Sequence, residues 1–213
     1  MTTTYTSRYI ALGLGISTAA AGLCFFLYRK WRENDTDEGF SELRDGEPLP
    51  KRILVLGLDG SGKSSLLTCL SGECASATPR PTEGFNVVSI QSSTPVSMDI
   101  WEIGGGESIR KYWPNFIQDT EVLVFVIDSA NKARFSEAYT EMHKLLGEPR
   151  LVDKPFVVVA SKQDLQGAAK RDEIKEALGL EDVKHHRVKI IEATLTASST
   201  NHITDIKDLL ISL

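Results

Sequence analysis

The sequence predicts a doubly wound α/β domain with a mostly parallel sheet and one antiparallel edge hairpin, preceded by an N-terminal transmembrane helix. Three observations carry this. From residue 51 onward, short apolar runs alternate with helical patterns, the order expected of helices laid on both faces of one sheet. Some of those runs, such as residues 122–127, are apolar at every position, which suits strands buried on both faces. Before residue 51 lie twenty uncharged residues, 9–28, followed by an acidic stretch.

Composition agrees with one globular domain plus an appendage. The 213 residues are 41% hydrophobic and 25% charged, which excludes a wholly disordered chain and a collagen-like one. A net charge of −5 excludes a generally basic nucleic-acid binder. That charge is unevenly spread. Arg8, Arg29, Lys30 and Arg32 make residues 1–32 basic, whereas Glu33, Asp35, Asp37, Glu38, Glu42, Asp45 and Glu47 face only Arg44 in residues 33–50. Cys24, Cys69 and Cys74 have no zinc-like spacing and form no disulfide framework, so a reducing compartment fits.

Residues 1–8 read as a short tail. Residues 9–28, YIALGLGISTAAAGLCFFLY, would span about 30 Å as a helix, the thickness of the bilayer's hydrocarbon core. Tyr9 and Tyr28 bracket the stretch, and Arg29, Lys30 and Arg32 follow it, which puts the downstream side in the cytosol. A retained signal-anchor is the reading adopted; a cleaved signal peptide, with small residues Ala19 to Ala21 near the cut, is the alternative. Cys24 reads as apolar filler, with palmitoylation as the alternative. Residues 29–50 form a basic flank and an acidic tether, too poor in large apolar side chains to offset the entropy of ordering.

The domain, residues 51–213, follows in order. Residues 53–56 are the first strand and 63–70 the first helix. Residues 85–90 and 96–100 read as the hairpin. Strands at 122–127, 156–160 and 188–191 alternate with helices at 135–146, 171–178 and 203–210, and Gly72, Gly147 and Gly179 stand where helices stop.

The junction between the first strand and the first helix reads Gly57-Leu58-Asp59-Gly60-Ser61-Gly62-Lys63-Ser64, followed by Ser65. This is the G-x-x-x-x-G-K-[ST] phosphate loop in its required strand–loop–helix context. The glycines let backbone N–H groups turn around phosphate oxygens, Lys63 supplies a flexible charge for the outer phosphates, and the Ser64 hydroxyl suits magnesium.

Three further segments choose among phosphate-loop proteins: Pro81-Thr82-Glu83-Gly84-Phe85-Asn86, Trp101-Glu102-Ile103-Gly104-Gly105 and Ser161-Lys162-Gln163-Asp164. With the loop, they resemble the Arf and Arf-like branch of the Ras-type small GTPases across essentially all of residues 51–213. The resemblance implies a small G domain that binds GTP or GDP with Mg²⁺. It implies that Thr82 meets the γ-phosphate and magnesium, that Glu102 stands for the family's Asp near the metal, and that the Gly105 N–H contacts the γ-phosphate. It implies that Asp164 reads guanine, Lys162 lies along sugar and base, and Thr196 belongs to a backbone contact with the base. The expected nucleotide-binding set is therefore Gly57 to Ser65, Thr82, Gly105, Ser161, Lys162, Asp164 and Thr196; the expected metal set is Ser64, Thr82 and Glu102.

Two positions depart from the family. Ser161 replaces an Asn, and Gly106 stands where the family has the Gln that orients the attacking water. No catalytic side chain is identified in its place; Glu107 is the candidate for holding a water. The resulting expectation is a membrane-anchored GTP switch with slow intrinsic hydrolysis, the alternative being a GTP-loaded scaffold with negligible turnover. Its expected partners are the membrane, state-dependent protein effectors, an exchange factor and an activating protein, and no nucleic acid. Either an endomembrane or the mitochondrial outer membrane fits. Trp113, with Tyr112 and Phe116, reads as core packing or as an effector surface. His185 and His186 read as a solvated loop rather than a metal site.

Overall fold

A computed structural model describes residues 9–11, 49–73, 81–91, 96–183, 186–196 and 201–213. Its strands are β1 (Tyr9–Ala11), β2 (Lys51–Leu56), β3 (Phe85–Gln91), β4 (Ser97–Ile103), β5 (Val122–Asp128), β6 (Phe156–Ser161) and β7 (Val188–Glu192). The helices are α1 (Lys63–Leu70), α2 (Glu107–Arg110), α3 (Phe135–Leu146), α4 (Arg171–Ala177) and α5 (Asn201–Ser212). They build one seven-stranded sheet in the order β1-β3-β4-β2-β5-β6-β7. The pairs from β4 through β2, β5 and β6 to β7 are parallel; β3 with β4 and β1 with β3 are antiparallel.

The two faces follow from the alternation of side chains along each strand. On β2, Ile53 and Val55 pack with Leu66, Leu67 and Leu70 of α1 and with Ile206 and Leu210 of α5. Leu54 and Leu56 point the other way, onto Ala138, Met142 and Leu145 of α3, Ile174 of α4, and Trp113 and Phe116. In α3 those three positions recur at the spacing of one helical face, and Ser136, Tyr139 and Thr140 on the other side are exposed. Leu66 is wholly buried, so trimming it to alanine would cost about 2–5 kcal/mol.

The expected helix and strand positions agree with the structure to within a few residues. Gly72 and Gly179 take the left-handed conformation after α1 and α4, whereas Gly147 closes α3 in a right-handed one. The end of α5 is held from the far side of the chain, because the Lys51 ammonium donates to the carbonyls of Leu210 and Ile211.

Two expectations need correction. Tyr9–Ala11, expected as the first turn of a membrane-spanning helix, form an extended strand instead, with Tyr9 opposite Val88 and Ala11 opposite Asn86. The outer side of β3 would otherwise present a row of unpaired backbone groups, and an aromatic and a β-branched residue suit that position. The β3–β4 hairpin is therefore one strand in from the edge. No helix among the described residues is long and apolar enough to cross a membrane. Residues 12–28 and most of the acidic tether lie outside the described residues.

Candidate functional site

The loop after β2 sits at the carboxyl end of the parallel strands, where open α/β sheets bind ligands. Gly57 has φ 143°, and a Cβ there would lie 2.2 Å from the Val126 carbonyl oxygen of β5, so no other residue fits. Lys63 opens α1 directly after Gly62, which adopts the left-handed conformation. Its buried ammonium donates to the carbonyls of Gly57 at 2.9 Å and Leu58 at 2.8 Å. Burial pushes the ammonium down to about 8, against the attraction of Glu102. The Ser61 hydroxyl is buried and has no hydrogen-bond partner among the described residues. A buried cation and an orphaned hydroxyl in one glycine-rich loop fit a polyphosphate.

The three expected metal ligands meet at the start of α1. Ser64 Oγ lies 3.0 Å from Thr82 Oγ1 and donates to Glu102 Oε1 at 2.5 Å, and Thr82 Oγ1 donates to the same carboxylate oxygen at 3.0 Å. The other oxygen, Oε2, accepts from Asn86 Nδ2 at 2.7 Å, which fixes the carboxylate's orientation. Three converging hard oxygens fit Mg²⁺, with Ser64 and Thr82 as the holders and Glu102 beside them. Among the described residues no group of three His, Cys, Asp or Glu side chains is placed to hold a metal ion. His186 bonds the Leu146 carbonyl at 2.9 Å and is half-buried, a structural role rather than a solvated one; His185 lies outside the described residues.

Gly104-Gly105 runs from β4 across the glycine loop. A Cβ on Gly105 would lie 2.2 Å from the Gly57 oxygen, and the Gly105 carbonyl accepts from the Asp59 N–H at 3.2 Å. Gly106 caps α2 with an extended backbone, φ −62° and ψ 146°, and the place of its missing side chain is open save for Ile109 Cδ1 at 4.0 Å. Glu107 is exposed at the first position of α2.

Beside these glycines lies an ionic cluster that no sequence spacing announced. Arg110 is buried; it donates to the Gly105 carbonyl at 2.7 Å, to Glu137 at 2.6 Å and to Asp59 at 3.3 Å. Arg134 bonds the Asp59 carboxylate at 2.8 Å and its carbonyl at 2.9 Å, and reaches Glu137 at 2.8 Å. Arg134 holds the Asp59 and Glu137 carboxyls below the usual carboxylate range. Trp113, expected either in the core or on an effector surface, is 2% exposed and donates its indole N–H to the Gly104 carbonyl at 3.0 Å.

On the other flank, the Ser161 hydroxyl lies 2.6 Å from the Ser61 carbonyl and 2.9 Å from that of Ile127. Although shorter than the family's Asn, it ties the end of β6 to the glycine loop. Lys162 has φ 59° and pairs with Asp128 at 2.6 Å. Gln163 anchors this turn by donating to Ser129 Oγ and to the Ala169 carbonyl. Asp164 and Thr196 are exposed, and Ser65 is half-buried in α1. A cavity of about 230 Å³ joins the two flanks, lined among others by Asp59, Ser61, Asp128, Arg134 and Lys162.

Residues 44–211 match the ADP-ribosylation factor family. The chain is similar to ADP-ribosylation factor-like protein 3 of Chlamydomonas reinhardtii, 46% identical over 133 residues that cover 62% of this chain and 74% of that protein. The namesake in Caenorhabditis elegans is 43% identical, covering 61% and 70%, and ADP-ribosylation factor-like protein 2 of Drosophila melanogaster is 42% identical, covering 63% and 72%. Among solved structures, the Arl6 small GTPase of Trypanosoma brucei, with the bound nucleotide analogue GppNp, superposes with a TM-score of 0.66 at 21% identity, over 77% of this chain and 98% of that one. That likeness carries the fold.

Proposed function

The chain belongs to the ADP-ribosylation factor family of small GTPases, and from that premise we propose that it acts as a membrane-anchored switch whose intrinsic GTP hydrolysis is slow. As a member of the family it is a GTP-binding switch protein and a GTP hydrolase. The observation that carries the reading of the site is the meeting of Ser64, Thr82 and Glu102 beside Lys63, with Gly105 laid against the same loop. Two segments distant in sequence close on the place for the outer phosphates, so the presence of a γ-phosphate is felt by both. Mg²⁺ is the cation that Ser64 and Thr82 would hold beside Glu102, and it would supply neutralisation of phosphate charge. The direct test is displacement of labelled GDP from the full-length chain: GTP and GDP should compete and ATP should not. Equal competition by ATP would refute the assignment.

Slow hydrolysis rests on Gly106. In this reaction the protein mainly positions water and stabilises charge, so losing the positioning group lowers rate without lowering affinity. Single-turnover hydrolysis should run below roughly 10⁻⁴ s⁻¹. Gly106→Gln should raise it about tenfold or more, since the backbone there is extended and the space open. Glu107→Ala should change little. An ordinary rate in the unsubstituted chain would show that another group holds the water. The second reading, a GTP-loaded scaffold with negligible turnover, draws on the same glycine and predicts no measurable hydrolysis.

The anchor is the reading of residues 9–28, with the domain facing the cytosol on an endomembrane or the mitochondrial outer membrane. Its partners would be the bilayer and effectors, an exchange factor and an activating protein that recognise one nucleotide state. Tyr9–Ala11 cannot lie in the bilayer and on the β3 edge at once, so insertion would empty that edge. The full-length chain should resist carbonate extraction, and deletion of residues 1–32 should release it. Mature protein starting near Ala21 would sink the anchor. A finer resemblance, to ADP-ribosylation factor-like protein 10 or its sister member 9, rests on this segment, the acidic tether and Trp101-Glu102-Ile103-Gly104-Gly105; the relatives reported above are members 2 and 3 and lend it no support.

A further inference from the structure

Two consecutive carbonyls, those of Gly104 and Gly105, are each held by a side chain from the segment that follows them. The Trp113 indole N–H takes the first at 3.0 Å and Arg110 Nε takes the second at 2.7 Å. Both side chains are buried. Glycine has the least restricted backbone of any residue, so a Gly-Gly pair has no aim of its own. A peptide unit, however, is planar and trans, so its C=O and its N–H point in opposite directions. Fixing the Gly104 oxygen on Trp113 therefore fixes the Gly105 N–H, which belongs to the same peptide unit. Fixing the Gly105 oxygen on Arg110 fixes the next unit, and Arg110 is itself held by Glu137 and Asp59. The Gly104 N–H is already committed to the Gly84 carbonyl at 2.9 Å.

We propose that Trp113 and Arg110 are positioning residues that aim the Gly105 N–H at the terminal phosphate, and so set the preference for triphosphate over diphosphate rather than nucleotide affinity as a whole. This rests on the reading above in which Gly105 faces the γ-phosphate. A hydrogen bond to a phosphate oxygen is charge-assisted and steep in its geometry, so an N–H left free to swing loses most of it. The diphosphate, held by Lys63 and the glycine loop, does not depend on that N–H.

The test uses Trp113→Phe, which keeps a buried aromatic ring but removes the N–H together with the pyrrole part of the indole, and Arg110→Lys, which keeps the positive charge facing Asp59 and Glu137 without the planar Nε donor. Dissociation constants for GDP and for a non-hydrolysable GTP analogue are measured on the full-length chain with Mg²⁺, alongside the ³¹P spectrum of the bound analogue. In each variant the analogue should bind about tenfold more weakly relative to GDP, with GDP within about twofold of the parent chain and the γ-phosphate resonance displaced while the α resonance stays. Equal weakening of both nucleotides, or an unmoved γ resonance, would show that these side chains only pack and would overturn the proposal. A parent chain that binds neither nucleotide would instead refute the reading of the site. The two failures differ, because in the first the parent chain binds both ligands.

Discussion

Gly105→Ala should lower affinity for a non-hydrolysable GTP analogue by about 100-fold, or ~2.7 kcal/mol, while leaving GDP within a few-fold. The added methyl would lie 2.2 Å from the Gly57 oxygen, 2.4 Å from the Leu58 carbonyl carbon and 2.5 Å from the Asp59 nitrogen. All three are backbone atoms of the glycine loop, so no rotamer change relieves the clash. The segment must lift away, breaking the Asp59 N–H bond to the Gly105 carbonyl and drawing Arg110 off Asp59 and Glu137. Overpacking of this kind typically costs about 1–3 kcal/mol even where neighbours are side chains that can yield. Titration of both nucleotides against the variant reads the effect directly. Undiminished affinity for the analogue would place Gly105 away from the γ-phosphate.

A larger effect is expected from Asp164→Asn, which should lower GDP affinity about 10³-fold or more and raise that for the xanthine nucleotide. A carboxylate only accepts hydrogen bonds and so matches the two donors on guanine's N1–N2 edge; an amide presents one donor and one acceptor and matches xanthine. Sites built on such pairing reject the unmatched analogue by factors of about 10⁴–10⁵. The turn carrying Asp164 does not depend on its side chain for shape. It is held by the Lys162–Asp128 pair and by Gln163 on Ser129 and Ala169. Loss of guanine binding without a gain for xanthine would indicate that the base is read elsewhere.

The central strands and the helices that cover them were legible because their signals are local. Residues 122–127 are apolar at every position since both faces of β5 are covered, and Gly62-Lys63 ends a loop whose spacing is set by the chemistry of phosphate. The ionic cluster was not legible. Arg110 and Arg134 are surface-type residues in any single-sequence reading, and only the fold brings Asp59, Glu137 and the Gly105 carbonyl around them. Trp113 read either as core or as effector surface, and it lies in the core; its indole N–H on Gly104 depends on a register that spacing does not encode. Asn86 was quoted as part of a motif, but its grip on Glu102 comes from the facing positions of β3 and β4, where the two residues pair. Tyr9–Ala11 misled for a different reason. Apolar residues at the head of a long uncharged run satisfy a bilayer and an open sheet edge equally well, and nothing in the run itself distinguishes the two.

The strand order also constrains how the domain is made. β2 is synthesised before any of its neighbours, yet it ends at the middle of the sheet between β4 and β5. On the ribosome its wholly buried residues, Ile53, Leu54, Val55 and Leu56, wait without a partner strand until β4 emerges, and without the second until β5 does. One face waits longer still. Ile206 and Leu210 of α5 complete the layer that covers Ile53 and Val55, and Lys51 closes on that helix's last carbonyls. The first strand and the last helix of the domain are thus sealed together only once residues 201–213 are free to fold. A nascent chain halted before residue 201 carries an open apolar face, which makes it a chaperone client.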